Sequence, residues 1–126
     1  MSQKWDPYVQ TFKTNANFAA TPWHLVTWAA DGDIDLCGAG ELPLGALTDV
    51  VGESNTDDKY VDVQVGQVIR VEAGATVTGG VLVMSNAAGE AIDRTTGNHV
   101  IGIALHGAAD GEALAVLWAP SYYEEG

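Results

Sequence analysis

The chain is short of positive charge, of cysteine, of helical pattern and of long apolar runs, and each shortage removes a class of function. Lys and Arg together number 5 against 17 Asp and Glu, a formal charge of −12. A surface that negative repels phosphate backbones and anionic lipid headgroups. Neither a nucleic acid nor a membrane is therefore expected as a partner. Cys37 is the only cysteine, which excludes an intrachain disulfide and a thiolate metal cluster and fits synthesis in a reducing cytoplasm. On its own it reads as a small buried apolar side chain. Met1-Ser2-Gln3-Lys4-Trp5-Asp6-Pro7 carries no apolar signal-peptide core, and no later run approaches bilayer-spanning length. A soluble protein that is not secreted through a signal peptide is expected.

What is present is one domain's worth of chain, 126 residues, enough to bury roughly two thirds of its unfolded surface. Mean hydropathy is +0.06 in spite of the charge, because Ala and Val are frequent. That combination predicts apolar surface covered by other subunits or a partner. Residues 1–23 place Trp5, Tyr8, Phe12, Phe18 and Trp23 among Gln, Thr and Asn with neither a helical nor a strand period, the pattern of an extended arm with aromatic anchors. From residue 24 onward, short β-branched runs alternate with Gly-containing turns, the signature of a sandwich or barrel. Strands are predicted over 25–28, 34–37, 60–65, 68–71, 76–78, 81–85, 91–93, 100–105 and 113–118. Asp31-Gly32, Ala88-Gly89, Gly97-Asn98 and Asp110-Gly111 supply hairpin turns. Residues 44–51 read as one short helical turn weakened by Gly45 and Gly52. The stretch 113–118 is apolar on both faces, which places it centrally or in an interface.

A shift of 57 residues superposes Leu25-Val26 on Leu82-Val83, Ala30 on Ala87, Gly32 on Gly89, Gly40 on Gly97 and Leu44-Gly45 on Ile101-Gly102. After a longer loop at 50–59, Tyr60-Val61-Asp62-Val63 aligns with 114–117 at a shorter offset. One β unit used twice, over about 25–65 and 82–118, is the expectation within a single β domain spanning 24–120, followed by a tail at 121–126.

Chemistry-bearing constellations are sparse. Asp31-Gly32-Asp33-Ile34-Asp35 opens like a calcium loop, but Leu36 and Leu42 stand where the glycine and the bidentate glutamate belong. His24, His99 and His106 lack the close spacing that organises zinc, leaving only histidines gathered on an oligomer axis as a route to metal. None of Ser2, Ser54, Ser85 and Ser121 lies in a nucleophile-elbow context, and Gly38-Ala39-Gly40 lacks the rest of a dinucleotide loop. Gly-spaced strands over 71–82 are similar to biotinyl and lipoyl carrier domains. The corresponding tip, Ser85-Asn86-Ala87-Ala88-Gly89, has no lysine to carry a prosthetic group. No enzyme, catalytic residue, metal or cofactor is expected.

Ala73-Gly74-Ala75-Thr76-Val77-Thr78-Gly79-Gly80-Val81-Leu82-Val83, then Ala88-Gly89-Glu90-Ala91, then 100–105 and 111–117, together resemble the capsid decoration, or cement, proteins of tailed bacteriophages. The resemblance covers about half the chain directly. It implies a homotrimer on the capsid exterior of a virion, made in the host cytoplasm, that stabilises the shell by bridging major capsid protein subunits. The fold class expected is all-β, a compact small β-barrel or β-sandwich (β-tulip-like) with an extended N-terminal arm and little helix. Lys4, Trp5, Tyr8, Phe12, Lys13 and Phe18 of the arm would bind capsid protein by strand addition. Leu114, Val116 and Trp118 would fill the protomer core or the trimer contact. A carbohydrate- or receptor-binding β module, stacking ligand on Trp23, Trp28, Tyr122 and Tyr123, is the alternative.

Overall fold

The computed structural model describes residues 8–14, 21–29, 33–48, 59–95 and 97–121. Among them are ten strands and no helix, the all-β class expected from the short Val-rich runs and their glycine punctuation. The first sheet comprises β1 (Tyr8–Thr14), β2 (Leu25–Trp28), β3 (Ile34–Leu36), β4 (Gly45–Leu47) and β5 (Lys59–Gly66), in the order β1-β5-β4-β2-β3. The second comprises β6 (Val68–Glu72), β7 (Leu82–Ser85), β8 (Ala91–Asp93), β9 (Val100–Ala104) and β10 (Ala113–Ser121), in the order β6-β10-β9-β7-β8. The second order is the first with every label advanced by five, and all neighbouring strands are antiparallel.

The likeness extends to register. Val26↔Leu36, Thr27↔Asp35 and Trp28↔Ile34 reappear, each residue displaced by 57, as Val83↔Asp93, Met84↔Ile92 and Ser85↔Ala91. Leu25↔Ala46 reappears as Leu82↔Ile103. For the last strand of each sheet the sequence alignment needs correcting. Leu47 pairs with Val63 and Ala104 with Val116, so Val63 corresponds to Val116 and not to Leu117. The physical reason is the two-residue period of a strand, which turns every side chain to the wrong face on a slip of one. With the corrected register, buried Val61 and Val63 fall on buried Leu114 and Val116.

Each sheet curls around its own apolar core. Val26, Ile34, Leu47, Val61 and Val63 fill the first, with Phe12 and Leu44 packed against them. Their counterparts Val83, Ala91, Ala104, Leu114 and Val116 lie in the second. The edge strands of each sheet meet: Thr14 Oγ1 donates to Ile34 O at 2.9 Å, and Ala73, just past β6, bridges in parallel to Ala91 of β8. Gly45 and Gly102 explain how a central strand three to five residues long can sit so close to its neighbour. A Cβ on Gly45 would run into Gln64 O, and one on Gly102 into Leu117 O, the equivalent carbonyl of the other sheet.

Several local expectations change. Tyr8–Thr14, inside the segment read as an arm, is a strand paired with β5 along its whole length. Its alternation escapes notice because Phe12 is the apolar member of an inward row that also holds the buried Thr14. Residues 45–47, read as part of a helical turn, form β4, where Gly45 is required for close approach. Gly97-Asn98 does not close a hairpin, because β8 and β9 both flank β7. Residues 76–78 are reduced to a single bridge, Val77↔Ala108. Ala88-Gly89 does turn β7 into β8, with Gly89 at φ 84°, a left-handed conformation that glycine adopts without penalty. Asp31-Gly32 and residues 49–58 lie outside the described residues.

Candidate functional site

Strand alternation leaves one face of each sheet pointing away from its own core, and the two faces meet different fates. In the first sheet the outward row Leu25, Ala46 and Gln64 is buried. Leu25 and Ala46, with Cys37, pack into the core of the second sheet. Gln64 completes the junction through its amide: Nε2 donates to Leu47 O at 3.1 Å and Arg70 O at 2.9 Å, and Oε1 accepts from Arg70 N at 3.0 Å. The equivalent row of the second sheet runs Leu82, Ile103, Leu117, Val68 across four hydrogen-bonded strands. There Ile103 is 37% and Leu117 43% exposed, and Leu105 beyond them is 50% exposed. A partly exposed apolar row on a chain this acidic makes this face a candidate contact surface.

A second feature is an open groove of about 620 Å³ lined by Thr27, Trp28, Glu41, Leu42, Pro43 and His99. Trp28 stands over it 54% exposed, its orientation fixed by an edge-to-face contact with Phe12 at 5.4 Å.

The third feature lies where the sheets join. Trp23, with a backbone φ of 66° that is unusual for a bulky side chain, takes the Arg70 guanidinium over its ring at 4.1 Å. Its carbonyl accepts from Glu72 N at 3.0 Å. This turn delivers His24 into the junction with 7% of its surface exposed. His24 Nδ1 lies 2.9 Å from Pro22 O, and its Nε2 is 3.5 Å from Glu90 Oε2. Glu90 is held from the hairpin by Asn86, whose Nδ2 donates to Glu90 Oε1 at 3.1 Å and whose Oδ1 accepts from Glu90 N at 2.9 Å. Burial holds the Glu72 carboxyl above the usual carboxylate range. The His24 charge opposes that shift, and the Glu90 and Asp110 carboxylates add to it.

The residues singled out in the sequence are dispersed by the fold. Leu114 and Val116 are fully buried in the second core, and Trp118, partly buried, packs against it; the outward member of that strand is Leu117. Phe12 is spent on the first core, and Tyr8 and Lys13 lie on β1 beside it. Lys4, Trp5 and Phe18, like Tyr122 and Tyr123, fall outside the described residues. The face of Trp23 is taken by Arg70. His106 is structural: its Nε2 accepts from Ala115 N at 3.2 Å while Nδ1 lies 2.8 Å from Gly107 O. Sequence reading missed the grouping of His24 with Glu72 and Glu90, because residues 48 and 18 positions apart share no motif. Knowing that the second sheet stacks on the first is what brings them together.

No protein-family model matches the chain, and no curated protein matches it in sequence. What its geometry defines is a class of fold, a pair of equivalent curled five-stranded sheets. That fold is similar to the N base of the head fiber protein gp8.5 of bacteriophage phi29. The similarity has a TM-score of 0.71 at 18% sequence identity and covers 94% of this chain and 100% of that one.

Proposed function

We propose that the chain is a structural protein of a tailed-phage virion, a decoration protein seated on the capsid exterior as a homotrimer and bridging major capsid protein subunits. The observation that carries this reading is the fold it shares, end to end, with the base of a phage head fiber. The exposed row Ile103, Leu117 and Leu105 supports it as the contact between protomers, and multiple capsid contacts per trimer multiply a modest affinity. Synthesis in the host cytoplasm suits the buried free thiol of Cys37. Lys4, Trp5 and Phe18, from the stretches flanking β1, are the arm residues proposed to meet capsid protein, while Tyr8, Phe12 and Lys13 act through the strand they build. A structural role needs no catalytic group.

The test pairs light scattering with binding to capsids that lack the protein. A trimer is expected, and Leu117→Asp is expected to yield folded monomers with weakened capsid binding. Deleting residues 2–7 is expected to weaken capsid binding with oligomer and stability unchanged; a longer cut would remove β1. A wild-type monomer without affinity for such capsids sinks the proposal. A second reading, a glycan-binding module of a virion, draws on the groove beneath Trp28. Sugar-dependent quenching of tryptophan fluorescence, abolished in Trp28→Ala, would favour it, and silence across a glycan panel would dismiss it.

A further inference from the structure

The side-chain atoms of His24, Glu72 and Glu90 that face one another all lie within 4.8 Å. They come from both halves of the molecule: His24 precedes β2 of the first sheet, while Glu72 ends β6 and Glu90 sits on the β7–β8 hairpin of the second. A neutral imidazole that donates Nδ1–H to Pro22 O presents a lone pair at Nε2. Among the described residues, Nε2 makes no hydrogen bond, its contact with Glu90 being an ion-pair distance of 3.5 Å. Ionised carboxylates are acceptors only. Three electron-pair donors therefore converge on one point, one of them on a side chain more than nine-tenths buried. Such an arrangement needs positive charge: a second proton on the imidazole, a proton shared between the Glu72 and Glu90 carboxyls, or a cation.

We propose that His24 Nε2, Glu72 and Glu90 form a binding site for a divalent transition metal, with Zn²⁺ the natural occupant, that staples the two sheets together. One imidazole and two carboxylates are a ligand set that zinc accepts, with water in the fourth position. Glu72 and Glu90 are only partly buried, so that position opens to solvent. Calcium, which wants six to eight oxygens, is poorly served by a histidine-containing trio. The surroundings are those of a metal site: a backbone carbonyl fixes the tautomer of the ligating histidine, and Asn86 orients one carboxylate, the outer contacts that tune metal affinity. The corresponding positions of the first sheet point the same way. By strand register Glu72 matches Lys13 and Glu90 matches Asp33, an oppositely charged pair, whereas the junction sets two like charges side by side.

The test uses the full chain after treatment with a chelator. Zn²⁺, titrated calorimetrically, is expected to bind one ion per chain and to raise the thermal midpoint, as any ligand of the native state does; Ca²⁺ at the same concentrations is expected to do neither. Co²⁺ is expected to give the visible absorption of a four-coordinate site. Glu72→Gln and Glu90→Gln, which preserve shape, are expected to weaken Zn²⁺ by more than about 100-fold, beyond the loss of an outer-shell partner. His106→Ala should leave binding unchanged. Circular dichroism of each metal-free variant establishes that it folds, so the result does not hang on His24→Ala. Absence of a Zn²⁺-dependent shift in the wild type, which would mean that protons alone hold the cluster together, overturns the proposal. Equal binding by wild type and both glutamine variants overturns it as well.

Discussion

The two sheets share strand order, register and close-packed glycines, yet they differ in what covers their outer faces. In the first sheet the outward row Leu25, Ala46 and Gln64 is fully occupied by the second half of the chain. In the second, the same lattice positions carry Leu82, Ile103 and Leu117 and stay partly exposed. One β scaffold therefore has its outer face covered in one half and open in the other, and the difference is written in few side chains. Gln64, with three hydrogen bonds to buried and partly buried backbone, is a residue for a finished interface. Leu117, at its equivalent position, makes an apolar surface without directional demands.

Four experiments test how far the two halves differ. The largest effect is expected from emptying each core in turn: Leu47→Ala and Leu114→Ala should each cost about 2–5 kcal/mol in urea unfolding. Both should keep a single transition, because Leu25, Cys37 and Ala46 tie the first sheet into the second core. A biphasic curve would mean the halves are independent. Gly45→Ala and Gly102→Ala should come next, each losing about 3 kcal/mol, at the upper end for overpacking. Unequal losses would show that the two close approaches are not equivalent.

A swap of the equivalent outer residues should then separate the faces. Gln64→Leu removes these partners from the buried Leu47 carbonyl and the partly buried Arg70 backbone and should cost about 2 kcal/mol. Leu117→Gln, at an exposed position, should stay within about 0.5 kcal/mol of wild type when measured on the protomer. Equal costs would remove the distinction between the covered and the open face. The smallest effect concerns Cys37, whose thiol is pushed from the usual value near 9 up to about 11 by burial. The raised value means the fold favours the neutral thiol. Its contribution is fully present below about pH 9 and is lost as pH rises through about 11. Alkylation at pH 8 should be negligible in the native protein and rapid in denaturant; fast native labelling would show the junction to be open.

Much of this was legible in the sequence, for physical reasons that can be named. β2 and β8 carry the bounds read from their β-branched runs, and the 57-residue displacement is visible because Gly45 and Gly102 are each required by a neighbouring carbonyl. β1 was hidden because its inward row includes Thr14, whose hydroxyl bonds Ile34 O, so burial there does not require hydrophobicity. The displacement between β5 and β10 was misjudged by one, since Val-rich and Leu-rich strands align equally well at either register until pairing fixes the face. The exposed row and the His24, Glu72, Glu90 cluster were beyond reach: both depend on which strands lie side by side and how the sheets stack, and neither leaves a local motif.

Because every ladder joins strands of one half, the order of synthesis acquires meaning. β1 to β5 have all their ladder partners once residue 66 has left the ribosome, and only Gln67 separates β5 from β6. In a first half folded on its own, Leu25, Cys37 and Ala46 would face water, since their cover in the finished fold comes from the second half. The lone thiol at the seam would therefore report closure, reactive before the second half covers it and shielded afterwards.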